Sequence, residues 1–495
     1  MQGDLQYGLS NFKAFGQGIQ RMSLKPITLL YGPNSAGKSS IIHSLLYLHE
    51  LARGSNKKDV YRTTLGEEFV DLGGFGNYAH GKSGNKNATL SFSHTFKHSL
   101  KGLEDFSNWE AIHDIQFRND GIELTGIEYR VNGDKGFVLS PNPKKPTEFK
   151  SNFNKDSEWF DYVFLNEKTK YKYADEILKF HDELSFRKSQ EDFFGLIPTS
   201  KDQKELEVFR KMWDFLPIEN IGAFTDPLVY LAGLRNIPEK AFFDGGAPPQ
   251  QNLNAGGMAY WEEIRSNAET RKKVNQWLKL LFEHKKYKID VISYLSPKEA
   301  SDIALTFFEE FKDSEGLEEL RQFDPKDEAF KFLDALKSKT SKMQAMRIMQ
   351  GKLELTAREL GVGVSQVIPL LGAACSKDKL IMVEQPEIHL HPKQQADLGE
   401  VFAESALKNN NRFVIETHSI RILERLGKMI RETTNGSDFK GMKLTPEDVA
   451  VYFVDSTPSQ STQGANLFSL TLGSDGLLDP QFPNNFFNED LNDLF

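Results

Sequence analysis

The chain has 495 residues, 39% hydrophobic and 26% charged, with a formal net charge of −9; that length holds about two to four units of ordinary domain size, and the acidic balance speaks against a generally basic nucleic-acid binder while leaving a local basic groove open. No apolar run reaches the ~18 residues of a membrane span and residues 1–16 lack a basic region followed by an apolar core, so neither a membrane segment nor a secretory signal is expected. One cysteine, Cys375, excludes an intramolecular disulfide framework and fits a reducing, cytoplasmic location, where it reads as a small buried hydrophobe.

Residues 4–31 read as three short strands, DLQYGLSNF, IQRMSL and ITLLY, from alternating apolar positions and Gly/Pro punctuation. The stretch 27–48, ITLLYGPNSAGKSSIIHSLLYL, then places Gly-x4-Gly-Lys-Ser between a strand and an apolar helical pattern that glycine ends near Arg53-Gly54. Glycines at 32 and 37 let the backbone curl so that its N–H groups face phosphate oxygens. Lys38 then reaches the β- and γ-phosphates, Ser39 offers a hydroxyl to Mg2+, and the helix N-terminus adds its positive dipole end. ATP contacts are placed on Gly32, Asn34, Ser35, Ala36, Gly37, Lys38, Ser39 and Ser40, with Ser39 also a metal ligand.

A loop carrying FVDLGGF (69–75) follows, and strand-like runs at ATLSFSHTF, Ile122 to Arg130 and Gly136 to Leu139 predict a β-rich first lobe over 1–150. From 151 to 350 the texture becomes charged with helical spacing, as in YADEILKFHDELSFRKSQEDFF and KDQKELEVFRKMWDFL. A mostly helical insertion is expected there, containing one apolar strand near 228–235, DPLVYLAGLR. After a Gly/Pro/Asn-rich loop come the helix-rich stretches 268–287 and 316–350, separated by the strand-like IDVISYL and IALTFF. Residues 351–455 restore an alternation of strands and helices: GVGVSQVIPLL, KLIMVEQPEIHLHP, a helix from Lys393, RFVIETHS, a helix to about Arg431, and AVYFVD. A Ser/Thr/Gln-rich linker and an acidic, Phe-rich segment make up 456–495, and the phenylalanines suggest docking on a surface.

A phosphate loop needs a carboxylate for Mg2+ and a group that positions water. The apolar run Leu380 to Val383 ends in Glu384, at the edge of a buried parallel strand where α/β ligands bind, so Glu384 is the expected metal ligand. His418 lies just past a similar strand and can contact the γ-phosphate or the water.

The order of phosphate loop, helical insertion, GVGVSQ, LIMVEQPEIHLHP and VIETHS resembles the ABC-type ATPase heads of the overcoming-lysogenization-defect (OLD), Rad50 and SMC group. Within that group FVDLGGF, YLAGLR and DGLLDPQFPNNFF are similar to the AAA-family ATPases of the Septu and PARIS anti-phage systems. The resemblance implies an α/β fold, a two-lobed ABC-type head with mixed β-sheets interrupted by the helical insertion. It places Gly363, Ser365 and Gln366 in a signature loop that meets the ATP of a second copy, Phe12 to Phe15 beside the adenine, and His391-Pro392 in a loop crossing the interface. It implies a homo-oligomer with ATP and Mg2+ between subunits, and a sensor or regulator ATPase controlling a separately encoded effector protein, a nuclease or toxin. Nucleic acid is left open as a further partner. The rival reading is a Rad50-like DNA repair or DNA-end-processing ATPase, for which sustained heptads and a basic face are missing.

One position departs from that pattern. Gln385 stands where such heads carry a water-orienting glutamate, and an amide cannot accept a proton. A naturally slow ATPase, a displaced base at Glu387 or His418, and an engineered trapping substitution are all compatible with it. His389 and His391 form His-x-His and would share a face on a strand, but a zinc site needs three or four ligands.

Overall fold

The computed structural model describes residues 5–52, 79–82, 88–97, 108–118, 121–142, 145–153, 155–156, 185–188, 196–198, 228–243, 255–294, 343–355, 359–457 and 464–479, with isolated positions at 203, 207, 301–302, 304–305, 482–483 and 486. FVDLGGF and most of the charged stretches at 173–194, 201–216 and 316–342 lie outside the described residues. The chain divides into two compact units, one of residues 1–235, 251–257 and 373–495, the other of residues 236–250 and 258–372.

The first unit holds two sheets. Alternating apolar residues in the N-terminal third build a nine-stranded antiparallel sheet from β1 (Leu5–Ser10), β2 (Gln20–Leu24), β4 (Ala88–Lys97), β5 (Asn108–Arg118), β6 (Gly121–Val131), β7 (Asp134–Asn142), β8 (Lys145–Phe153), β9 (Ser185–Lys188) and β10 (Leu196–Pro198). Its order is β10-β9-β8-β7-β6-β5-β4-β1-β2. The SFRK segment, read as helical from its charge, is thus a strand, because pairing with β8 supplies hydrogen bonds that outweigh a weak propensity.

The second sheet runs β11 (Leu228–Leu231), β15 (Leu380–Glu384), β16 (Arg412–Glu416), β3 (Ile27–Tyr31), β17 (Val449–Asp455), β18 (Asn466–Leu472) and β19 (Leu478–Asp479). From β11 to β17 every pairing is parallel. These strands are nearly continuous apolar runs, as expected where both faces are covered, and each fully buried Leu, Ile or Val contributes about 1.5–3 kcal/mol. Helices α1 (Lys38–Ala52), α5 (Pro392–Asn409) and α6 (Ile420–Thr434) return the chain between strands. Proline at the first position and a His391/Gln394 capping box start α5, and α6 buries Ile422, Leu423, Leu426, Met429 and Ile430. Because these pairings are all parallel, the carboxyl ends of β11, β15, β16, β3 and β17 lie along one edge.

The second unit contains α2 (Met258–Ser266), α3 (Ala268–Leu281), the three-stranded sheet β12 (Tyr287–Tyr294), β13 (Met343–Gln350) and β14 (Leu353–Leu355), and most of α4 (Val362–Ala374). Asn267 caps α3 by accepting the N–H groups of Glu269 and Thr270, a contribution of about 1 kcal/mol. Two expectations are corrected here. MQAMRIMQ is β13 and not the end of a helix: Met346 and Ile348 are buried around an exposed Arg347, and antiparallel pairing with β12 overrides the helical propensity of Met and Gln. IALTFF was read as a strand, but Ala304 and Leu305 are helical, in keeping with their propensities. Among the described residues no helix is long and apolar enough to cross a membrane.

Candidate functional site

The parallel strands of the first unit put Leu231, Glu384, Glu416, Tyr31 and Asp455 at the carboxyl edge of the sheet, where α/β folds bind ligands. The loop 32–37 turns from β3 into α1 at that edge. Gly32 has φ 143°, and a Cβ there would lie 2.2 Å from the Val454 carbonyl oxygen; Gly37 has φ 114°, and its Cβ would lie 2.7 Å from that of Ala14. Both positions require glycine, which lets the loop close on a phosphate-sized ligand. Asn34 and Ser35 are exposed on the crest, Ser35 in the left-handed region, while Ala36 and Ser40 are buried beneath. A nucleotide polyphosphate fits this cradle.

Lys38 is 3% exposed and its ammonium donates to the Gly32 and Pro33 carbonyls at 2.9 and 2.8 Å. Burial holds its pKa down, against the pull of Glu416 and Glu387. The Glu416 carboxylate is 3.9 Å away and accepts a hydrogen bond from Ser39 Oγ at 2.7 Å. The hydroxyl that a P-loop offers to Mg2+ is therefore on Glu416, a residue quoted within VIETHS but given no role from sequence. Its signal was available: RFVIE repeats the pattern of LIMVE, an apolar strand ending in a carboxylate at the ligand edge.

Glu384 lies one strand further from the loop. Its Oε1 accepts from Tyr230 Oη at 3.0 Å and is 3.5 Å from His43 Nε2, while Arg235 donates to its backbone carbonyl at 2.9 Å. His43 stands four residues after Ser39, on the same helical face. Its Nδ1 is 2.6 Å from Lys13 Nζ. An ammonium has only donors, so Nδ1 accepts and the imidazole proton sits on Nε2, facing Glu384. Burial lowers the Lys13 pKa to about 8 despite Glu384, and lowers that of Arg235 to about 10 despite Glu387 and Glu384. The Tyr230 phenol is raised by burial and then by Glu384. Tyr230 and Arg235 belong to the YLAGLR segment; Lys13 carries no local sequence signal.

The other expected residues fall as follows. Glu387 is 9% exposed; Oε1 accepts the His418 N–H at 2.7 Å and Oε2 has no hydrogen-bond partner. Burial raises its pKa against that N–H. His418 Nε2 is also buried without a partner, and burial together with Lys38 lowers its pKa, so the ring is neutral near pH 7. Gln385 adopts φ 42° and donates its N–H to the Glu416 carbonyl at 2.7 Å. These orphaned polar atoms, two carboxylates, a lysine and a serine fit the hard, oxygen-rich surroundings of Mg2+ and phosphate.

Gly363, Ser365 and Gln366 lie in the second unit, inside the first turn of α4. Ser365 is fully buried and donates its hydroxyl to the Val362 carbonyl at 2.8 Å, so the exposed part of this turn is Gly361 and Val362. Phe12 and Phe15 are fully buried in the core, so their rings face no ligand. His389 sits in a turn at φ 60° and His391 caps α5; they share no strand face.

The family model of an AAA ATPase domain matches residues 230–423, and that of a protein of unknown function, DUF3696, matches residues 444–495. No curated protein matches the chain. Among solved structures the chain is similar to an SMC head bound to the C-terminal winged-helix domain of ScpA, at 11% identity and TM-score 0.41 over 94% of this chain and 98% of that one. It is also similar to the SMC head domain from Thermotoga maritima, at 12% identity and TM-score 0.35 over 95% and 99%. A third is an Smc head domain with an extended coiled coil bound to the C-terminal domain of ScpA, derived from Pyrococcus furiosus, at 13% identity and TM-score 0.36 over 94% and 96%.

Proposed function

We propose that this chain is an ABC-type ATPase that binds ATP with Mg2+ at the carboxyl edge of the β11–β17 sheet and hydrolyses it slowly. The observation that carries this reading is the meeting of Lys38 and Ser39 with the strand-end carboxylate of Glu416, next to that of Glu384 on the neighbouring strand, beneath a loop whose glycines admit no side chain. Mg2+ held by Ser39 and Glu384 would neutralise charge on the β- and γ-phosphates. Lys38 releases the Gly32 and Pro33 carbonyls to take phosphate oxygens. His418, neutral and with a free ring nitrogen, faces the γ-phosphate or the attacking water. Gln385 can orient water without taking its proton, which accounts for slow turnover.

ATP is proposed to join two copies, with the turn at Gly363 to Gln366 of a second copy against the nucleotide. The assembly acts as a sensor in prokaryotic anti-phage defence, holding or releasing a separately encoded nuclease or toxin; this part of the reading is supported by the YLAGLR and DGLLDPQFPNNFF resemblance alone. Lys38→Ala should abolish binding of a fluorescent ATP analogue and, in cells carrying the whole locus, protection from phage. Normal affinity in that variant would sink the nucleotide site. Turnover stimulated by linear DNA, with protection unaffected, would move the role to DNA-end processing.

A further inference from the structure

We infer that Glu416 is a metal-holding carboxylate of this site, seating Mg2+ together with Ser39 while Glu384 closes the seat from the far side. The inference rests on the ATP·Mg2+ reading above and names a ligand which that reading does not use.

The register sets the geometry. Glu384 and Glu416 are directly paired across parallel β15 and β16, so their side chains leave the same face on neighbouring strands, about 4.8 Å apart. Glu416 in turn pairs with Leu30 of β3, one residue before the strand runs into the phosphate loop. The strand order therefore puts Glu416 between Glu384 and the loop.

The contacts agree with that order. Ser39 Oγ donates a hydrogen bond to Glu416 at 2.7 Å, whereas the Glu384 carboxylate is held by Tyr230 and His43. Glu387 adds a third carboxylate, nine-tenths buried, with one oxygen unpartnered. Against this negative charge stand Lys38, 3.9 Å from Glu416 and already donating to two backbone carbonyls, and Lys13 and Arg235, whose charges act on Glu384 and on Glu384 and Glu387 respectively. ATP phosphates would add further negative charge to the same place. A divalent, oxygen-seeking cation between Ser39, Glu416 and Glu384 would offset that added charge, and it needs no side chain to change strand.

The rival possibility is that Glu416 only props Ser39. The full-length protein distinguishes the two, with Mn2+ as the metal and a fluorescent, non-hydrolysable ATP analogue as the probe. For Glu416→Gln, which keeps an acceptor for Ser39, affinity for the analogue in EDTA should stay within about twofold of wild type, while the Mn2+ concentration for half-maximal enhancement should rise about 10- to 100-fold. An unshifted Mn2+ requirement overturns the inference. So does a fall in metal-free affinity by the same factor as the fall with metal, because a prop would lower both. If Glu416→Gln does not fold, as judged by its melting curve, Glu416→Asp replaces it: the carboxylate is withdrawn by one methylene and the same upward shift is expected, a wild-type requirement again counting against the proposal. Wild-type protein that binds no analogue at any Mn2+ concentration would instead overturn the ATP reading itself.

Discussion

At Gln385 the backbone and the side chain carry separate messages. Its left-handed φ of 42° costs a non-glycine residue about 1–3 kcal/mol, offset here by the N–H bond to the Glu416 carbonyl, and such strain is kept where a side chain must point in one direction. The amide lies near Gly233, whose added Cβ would be 3.7 Å from Gln385 Oε1, so the peptide after β11 leaves it room. Gln385→Glu would supply a proton acceptor at the same position, and phosphate release should rise by about tenfold or more. An unchanged rate would place the base elsewhere, with Glu387 the next candidate. Glu387 makes its own prediction. Burial raises its folded pKa above the ordinary carboxylate value, against the backbone N–H of His418, the Thr417 hydroxyl and the Arg235 charge. Between the two pKa values the folded chain then holds more protons than the unfolded one, so this residue's contribution to stability is present below the ordinary value and falls as pH rises through the raised one. Glu387→Gln should remove up to about 1.4 kcal/mol per pH unit of that downward slope, measured by denaturant unfolding between pH 4 and pH 7. An identical slope in the variant would mean that Glu387 is ionised throughout.

Elements were legible in proportion to how much of their cause is local. β3, the phosphate loop and α1 could be read because an apolar strand, a glycine turn and a helical stripe each depend on neighbours in sequence. The same is true of β15, α5, β16 and α6, whose caps and apolar faces lie within a few residues. β13 was misread because what makes MQAMRIMQ a strand is β12, about fifty residues earlier, and propensity alone favours helix there. β9 failed for a similar reason. The site divides likewise. Lys38, Ser39 and Glu384 are marked by motif and by strand ending, but Lys13, Tyr230 and His43 become partners of Glu384 only when three distant segments meet. Glu416 has the same local mark as Glu384, an apolar strand ending in a carboxylate, but only its place between β15 and β3 sets it beside Ser39. In the C-terminal segment Phe482 packs edge-on to Tyr31 and Phe486 to Phe453. Its turn meets α6 where Gly427 and Gly476 allow backbone contact, since a Cβ on either would come within 2.3 Å of the other's carbonyl oxygen.

For the whole molecule the decisive question is whether ATP joins two copies, and the exposed start of α4 offers a test that leaves the phosphate loop untouched. Ser365 is buried and bonded to Val362, so a phosphate from a second copy would meet the backbone N–H groups and positive dipole end of α4 at Gly361 to Gly363. Val362 is 49% exposed at the first helical position. A glutamate there suits the helix itself, because a negative charge in the first turn is stabilising by about 0.3–1 kcal/mol, yet it repels any phosphate approaching from outside. Val362→Glu should therefore fold at least as well as the native chain, bind the ATP analogue through Lys38 with unchanged affinity, and lose association. For wild type, ATP with Mg2+ is expected to double the mass seen by light scattering at micromolar protein; the variant should stay at the mass of one chain. If the variant dimerises as the wild type does, the turn at the start of α4 does not meet the nucleotide. If wild type itself never shifts, ATP acts within single copies, and slow turnover at Gln385 would time a change inside one chain instead of holding two together.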